Sequence, residues 1–112
     1  MNDLNDKKCK PCEGGVQPLA RPAAERLLAQ LSADWRLADD GRSIRREFKF
    51  KDFYRTVSFV NALAHVANIE DHHPDLEVGY GVCRVLYTTH AIGGLSENDF
   101  ICAAKIDAIA LA

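Results

Sequence analysis

Apolar residues recur at helical spacing near both ends of the chain. The first pattern predicts a helix from Pro22, a residue favoured in the first helical turn, to about Ala33. The last pattern predicts a helix that opens at Ser96, which stands three residues before Asp99 as in a capping box. Beyond that start, the helix is marked by its apolar residues: Phe100, Ala103, Ala104, Ile106, Ile109 and Ala110.

The longest helical pattern lies in the middle of the chain, and its apolar surface is broad. Asp52 can cap a helix that runs from Phe53 to about Asp71, where Pro74 is expected to stop it by pushing His73 out of the α region. So broad a surface predicts that the helix is covered on two sides, by a sheet and by another subunit. Its main stripe consists of Phe53, Val57, Val60, Ala64 and Ala67, and Phe59, Leu63 and Val66 widen it.

Alternation of polar and apolar residues predicts four strands in two hairpins. Trp35 and Leu37 lead into a turn at 39–41, and residues 44–50 then alternate as in a half-buried strand, with Arg46 as the exception on the apolar face. Strands over about 76–80 and 82–90 follow. The order helix, two strands, helix, two strands, helix favours an α+β fold, with a four-stranded antiparallel sheet and three helices packed on one face.

Length and composition allow one domain and exclude several classes of function. With 112 residues, 47% of them hydrophobic and 27% charged, the chain can bury a core but has no room for a second catalytic domain. Its formal charge of −2 argues against a nucleic-acid backbone or an anionic membrane as the main partner. No apolar run approaches the roughly 20 residues of a membrane span or resembles a signal peptide, so we expect a cytoplasmic protein.

The first twenty residues differ from the rest of the chain. They contain almost no large apolar side chains, so we expect 1–20 to be a flexible tail or a loosely docked arm before a single domain over 21–112. Cys9 and Cys12 are expected to be exposed thiols of this tail, because a structural zinc site normally needs four ligands and the sequence has no second such pair. Cys83 and Cys102 are likewise expected to be free thiols.

Three of the four histidines fall where predicted elements end. His72 and His73 follow the second helix, and His90 ends the fourth strand, whereas His65 lies inside the helix and is left out of the site. Imidazole can give and take a proton near neutral pH, so three such groups around one cleft would form an acid/base site. Asp99 has two interpretations: it is a first-turn acid of the last helix, or it orients His90.

Other chemistries find less support in the sequence. It has no phosphate-binding loop, dinucleotide fingerprint or Gly-x-Ser-x-Gly elbow. The three histidines could bind zinc, but ligands on adjacent residues diverge and the usual metal-ligand spacings are missing, so we expect neither a metal nor a cofactor. The hydroxyls of Thr88 and Thr89, next to His90, could hold a polar heterocycle.

A series of motifs resembles the pterin-4a-carbinolamine dehydratase family. The resemblance covers about 22–111, and the Cys-x-Pro-Cys-x-Gly-Gly opening is similar to the tail of many bacterial members. One departure is Asn68, where many members have an acid, and Glu70 is a candidate substitute. The motifs are Asp71-His72-His73-Pro74-Asp75-Leu76, then Tyr80, then Thr88-Thr89-His90, then Gly94-Leu95-Ser96-Glu97-Asn98-Asp99-Phe100.

The resemblance implies a 4a-hydroxytetrahydrobiopterin dehydratase, which converts 4a-hydroxytetrahydropterin to quinonoid dihydropterin and water. Such an enzyme recycles the pterin cofactor of aromatic amino acid hydroxylases. The resemblance also implies a homodimer or homotetramer, and no metal. We expect proton transfer by His73 and His90, with His72 sharing this role or positioning the substrate. The residues that the resemblance places in the site are His72, His73 and His90 as catalytic groups, Asp71, Thr88 and Thr89 in the pocket, and Asp99 in support of His90.

Two other functions follow from the same resemblance. Animal relatives also serve as dimerisation partners of a homeodomain transcription factor, so the chain could instead be a protein-binding module that acts as a transcriptional coactivator. A pterin role linked to molybdopterin is the third interpretation. The presence of an aromatic amino acid hydroxylase gene nearby would favour the enzyme.

Overall fold

Three helices and four strands follow one another in the predicted order. The computed structural model describes residues 3–11 and 16–110, and within these ranges no helix is both long and apolar enough to cross a bilayer. These ranges also contain two short 3-10 helices, Asp3–Asp6 and His90–Ile92. The elements are α1 (Arg21–Leu28), β1 (Arg36–Leu37), β2 (Ile44–Lys49), α2 (Phe53–Glu70), β3 (Asp75–Val78), β4 (Val82–Tyr87) and α3 (Glu97–Ala110).

The strands form one antiparallel sheet in the order β1-β2-β4-β3. On one face the side chains of β2 and β4 are buried, whereas the opposite face carries exposed charged residues such as Arg45 and Arg84. The helices therefore cover a single face, and the predicted α+β fold is confirmed. The buried strand residues are Ile44, Phe48, Cys83, Val85 and Tyr87.

Arg46, the exception to the alternation in β2, does lie on the covered face. Its Nη1 donates to Asp107 Oδ1 of α3 at 2.7 Å, and its guanidinium stacks over the Phe48 ring, 4.2 Å from the centroid. Trp35 Nε1 donates to the same carboxylate at 2.9 Å. An arginine is tolerated here because a half-buried acid and an aromatic face compensate its charge.

The helix α2 presents two different faces. Asp52 Oδ1 accepts from the Arg55 amide at 2.9 Å, which confirms the predicted cap. The inner face is buried through Thr56, Phe59 and Leu63. Most of the stripe that begins at Phe53 stays at least partly accessible, with Phe53 itself 51% exposed.

Several element ends differ from the predicted ones. The first helix ends at Leu28 and β4 at Tyr87, so both are shorter than expected. The end of α2 is set by Asp71, whose φ of 52° is left-handed, rather than by Pro74. The Asp71 and His72 amides both donate to the Ala67 carbonyl, as in a Schellman-like cap, and aspartate is one of the few residues that tolerate this conformation.

The described part of the expected tail packs onto the domain. Residues 3–11, which we call the N-terminal arm, contact α3, and Leu4 is only 1% exposed. Lys105 Nζ donates to the Asn5 carbonyl at 2.8 Å, and Lys7 pairs with Glu97 at 3.0 Å. The arm is therefore docked, which corresponds to the second of the two expected states; its flexibility stays a prediction.

Truncating Leu4 should measure how much this docking stabilises the fold. Leu4→Ala removes a side chain from the core, so we expect the free energy of unfolding to fall by about 2–4 kcal/mol in urea denaturation. Val16→Ala is the matched control, because Val16 is 54% exposed and its loss should cost no more than about 0.5 kcal/mol. Equal effects of the two variants would contradict the docked arm.

Candidate active site

A cavity of about 490 Å³ lies where the end of α2, the segment after β4 and the N-terminal arm meet. It is lined by residues 9–11, 69–73 and 88–91 together with Asn98. The structure thus brings the three expected histidines to one cavity, along with Asp71, Thr88 and Thr89. A second cavity of about 730 Å³ on the open face of the sheet is lined mostly by charged residues and by no histidine.

Asp99, in the first turn of α3, has no exposed surface and accepts three hydrogen bonds. Oδ1 lies 2.6 Å from His72 Nε2, while Oδ2 accepts from the Thr89 hydroxyl at 2.8 Å and from the Ser96 amide at 3.0 Å. The bond to Ser96 forms one half of the predicted capping box, whereas the Asp99 amide donates to the Ser96 carbonyl at 3.2 Å instead of to its hydroxyl. The carboxylate therefore joins the end of α2, the end of the sheet and the start of α3.

The expected pairing of Asp99 with His90 is wrong. Asp99 instead contacts His72, and His90 Nε2 lies 3.8 Å from Asp75 Oδ2. The reason is the direction of the two side chains. His72 points inward beneath the cavity, whereas His90 opens a 3-10 helix and its side chain is 70% exposed.

The His72 ring is fixed from two sides. It stacks on the buried Tyr87 ring with a centroid distance of 6.0 Å and an interplanar angle of 8°. Because an ionised carboxylate can only accept, the bond to Asp99 places a proton on Nε2. Nδ1 has no hydrogen-bond partner within 3–11 and 16–110, so it is the ring atom left for a ligand.

His73 and His90 are held much less tightly. Both are exposed, and among residues 3–11 and 16–110 the only polar neighbour of the His73 ring is the Pro74 carbonyl, 3.3 Å from Nδ1. His90 lies within a short loop that Thr89 and Gly94 close by pairing as an isolated β-bridge. Gly93 makes the reversal with a φ of 67°, a conformation that favours glycine.

The hydroxyls of Thr88 and Thr89 already have protein partners. Thr88 donates to the Arg42 carbonyl at 2.6 Å. Thr89 donates to Asp99, so it accepts from the Ser96 hydroxyl at 2.7 Å. The two threonines line the cavity and fix its floor, and the idea that their hydroxyls hold a heterocycle stays a prediction.

The N-terminal arm forms one side of the cavity, which no sequence pattern predicted. Cys9 is half-buried rather than exposed, and its Sγ lies 3.5 Å from Cys102 Sγ. This contact, together with burial, raises the pKa of the Cys102 thiol. Cys9, Cys83 and Cys102 are free thiols as expected, whereas Cys12 lies outside the described residues.

No candidate metal centre occurs in the described ranges. Within 3–11 and 16–110, no three His, Cys, Asp or Glu residues form a group that could hold an ion. The cavity therefore offers imidazole and carboxylate groups for proton transfer and hydrogen bonding.

Comparisons with known proteins found a matching family and several similar proteins. The family described as "Pterin 4 alpha carbinolamine dehydratase" matches residues 17–109. A protein of Nitrosomonas eutropha named "Putative pterin-4-alpha-carbinolamine dehydratase" is 66% identical over 94% of this chain and 91% of its own. A protein of the same name from Legionella pneumophila (strain Corby) is 56% identical over 95% of this chain and 94% of its own.

Two solved structures share the fold. One, titled as a transcriptional coactivator/pterin dehydratase from Brucella melitensis, has a TM-score of 0.78 and 36% identity, covering 84% of this chain and 99% of its own. The other, titled as a pterin dehydratase-like RuBisCO assembly factor in the alpha-carboxysome, has a TM-score of 0.61 over 70% of this chain and 92% of its own. At 22% identity, this second likeness establishes the fold alone.

Stability measurements should separate Asp99 from the exposed histidines. Asp99→Asn places an amide among three donors, so we expect the free energy of unfolding to fall by about 2–4 kcal/mol. His73→Ala and His90→Ala remove exposed rings and should change it by about 0.5 kcal/mol or less. Thermal and urea unfolding of the three variants would test this. An Asp99→Asn protein as stable as the histidine variants would contradict the role given to the carboxylate.

Proposed function

We propose that this chain, which belongs to the pterin 4 alpha carbinolamine dehydratase family, functions as a dehydratase. Its substrate would be a 4a-hydroxytetrahydropterin, and its products quinonoid dihydropterin and water. The observation that carries the proposal is the meeting of His72, His73 and His90 at one cavity, with one of the three rings fixed by a buried carboxylate.

The reaction requires only proton transfers from the protein. The substrate carries a hydroxyl on a carbon that also bears a ring nitrogen. An acid protonates the hydroxyl, the carbon–oxygen bond breaks as water leaves, and the nitrogen lone pair forms a carbon–nitrogen double bond. A base then removes the proton on that nitrogen. Each positioned acid or base typically contributes about 10²–10⁴-fold to the rate.

The geometry distinguishes the three histidines. His72 has Nε2 bound to Asp99 and is held on Tyr87, so its Nδ1 is oriented in advance for proton transfer at the cavity. His73 and His90 are exposed and free to meet the substrate from the mouth of the cavity. We therefore assign proton transfer to all three rings, with His72 as the most firmly oriented. Asp71, Thr88 and Thr89 would border the bound pterin.

The cavity suits a small heterocycle in size. About 490 Å³ falls within the range of about 300–1,000 Å³ that is usual for small-molecule sites. The physiological link that we propose is regeneration of the pterin cofactor of an aromatic amino acid hydroxylase in the cytoplasm. A molybdopterin-linked role is the alternative within pterin chemistry.

A second candidate function is that of a protein-binding module. The specific observation in its favour is the solved relative at 36% identity, whose title includes the words transcriptional coactivator. The accessible stripe of α2 offers an apolar surface for a partner. The two functions are compatible, because this stripe and the histidine cavity involve different residues.

The dehydratase proposal is tested by turnover of synthetic 4a-hydroxytetrahydropterin. We expect the purified protein to accelerate the loss of water above the buffer rate, with or without EDTA. His72→Ala, His73→Ala and His90→Ala should lower kcat, by about 10²-fold or more for each ring that transfers a proton. His65→Ala is the matched control, because His65 is exposed on α2 outside the cavity, and its kcat should be unchanged.

Three results of this assay would overturn the proposal or its mechanism. Wild-type protein that leaves the buffer rate unchanged would exclude the dehydratase function. Near-normal kcat in all three cavity variants would exclude histidine catalysis. Activity abolished by EDTA and restored by zinc would replace the mechanism by a metal-dependent one.

We also propose that the protein is a homodimer or homotetramer joined through the α2 stripe. Light scattering at micromolar concentration should give an oligomer, and Ala64→Arg, which places a charge in the stripe, should give a monomer. Ser58→Arg lies on the polar side of α2 and should leave the mass unchanged. A monomeric wild-type mass would contradict this proposal.

A further inference from the structure

The third side of the histidine cavity is formed by a segment that is remote in sequence from the other two. Residues 9–11 line the cavity together with the end of α2 and the segment after β4. No motif that indicates the site includes these residues. Leu4 already anchors the arm through the burial of its apolar side chain. The additional contacts of residues 9–11 therefore determine where this segment lies at the cavity.

Asn98 binds the main chain of the arm from both directions. Its Oδ1 accepts from the Lys10 amide at 2.9 Å, and its Nδ2 donates to the Lys10 carbonyl. The side chain thus hydrogen-bonds to both the amide and the carbonyl of Lys10, as the backbone of a neighbouring β-strand would. Asn98 is buried and precedes Asp99 directly, so the arm is fixed at the same helical turn that orients His72.

Glu70 provides a second attachment, one residue earlier in the arm. Its Oε1 accepts from the Cys9 amide at 2.8 Å, although its side chain is only 5% exposed. The other oxygen lies 3.9 Å from Lys105 Nζ. Burying a carboxylate is unfavourable unless its oxygens accept hydrogen bonds, and here the backbone of the arm donates one of them. Glu70 is also two residues from His72, at the end of α2.

We propose that the segment 9–11 is a wall of the cavity that contacts the bound pterin, and that Asn98 and Glu70 are the positioning residues that hold it. The inference rests on the proposed function, because it assigns the ligand of that same cavity. Held in this way, the segment narrows the cavity to a slot for a flat heterocycle against the histidines. Release of the segment would weaken binding of the pterin without removing any group that transfers a proton.

The kinetics of Asn98→Ala should show whether the segment 9–11 acts as a wall that binds the pterin or contributes to catalysis. We expect KM to rise about tenfold, equivalent to about 1.4 kcal/mol, while kcat stays within about twofold. The dissociation constant of a stable 7,8-dihydropterin, followed by its fluorescence, should rise by the same factor. Lys7→Met is the control, because it breaks an arm contact that lies outside the cavity lining and should leave both constants unchanged.

A second pair of variants tests the same point at Glu70. Glu70→Ala removes the acceptor of the Cys9 amide and should raise KM. Glu70→Gln keeps an oxygen in that place and should restore KM to within about twofold of wild type. This pair keeps the inference testable if Asn98→Ala fails to fold. A KM unchanged in Glu70→Ala, or equally raised in Glu70→Gln, would contradict the positioning role.

The position of the arm can be measured without any substrate. Cys9 and Cys102 are 3.5 Å apart at sulfur, so a diazene oxidant such as diamide should join them. The two thiols lose two electrons and two protons to form the disulfide, and the diazene is reduced to the hydrazine. In a Cys12→Ser background, mass spectrometry should detect this link, and Asn98→Ala should slow its formation at least fivefold.

The outcomes distinguish this inference from the proposed function. Wild-type protein that neither binds dihydropterin nor turns over substrate would overturn the dehydratase function. It would also overturn the proposal that the segment 9–11 contacts a bound pterin. Active wild-type protein combined with unchanged KM and dissociation constant in Asn98→Ala would overturn the wall alone. A Cys9 to Cys102 link that forms as fast in Asn98→Ala as in wild type would also overturn it, because Asn98 would then not hold the segment.

Discussion

The carboxylate of Asp99 joins three chain segments through hydrogen bonds to its two oxygens. His72 comes from the end of α2, Thr89 from the segment after β4, and Ser96 from the start of α3. A carboxylate with no exposed surface is stable only if its oxygens are bonded, so the three donors must stay in place for the fold to form. The same requirement fixes the histidine that faces the cavity.

This arrangement divides the site into a fixed floor and an open mouth. The floor consists of His72 and the two threonines: His72 and Thr89 bond to Asp99, and Thr88 donates to the Arg42 carbonyl. His73 and His90 stand at the mouth, exposed and with few polar contacts. Catalytic acids and bases need both properties, because orientation requires a rigid support and proton exchange requires access to substrate and water.

Local patterns in the sequence were sufficient for the fold but not for the contacts within the site. The Asp52 cap and the Ser96 to Asp99 spacing depend on neighbours three residues apart, so both could be predicted. The partner of Asp99 depends on which way two distant side chains point, and spacing does not encode that direction. The sequence left open whether the arm docks, because docking depends on the single apolar residue Leu4 and on backbone bonds to distant side chains.

We propose that the pterin binds at the cavity lined by His72, His73 and His90. Histidine ring resonances, observed by NMR during titration with a stable 7,8-dihydropterin, test it most directly, with His65 as an internal reference on the outer side of α2. We expect saturable chemical-shift changes for the three cavity rings and none for His65. Binding that leaves the three rings unshifted, or that shifts only residues on the open face of the sheet, would contradict it.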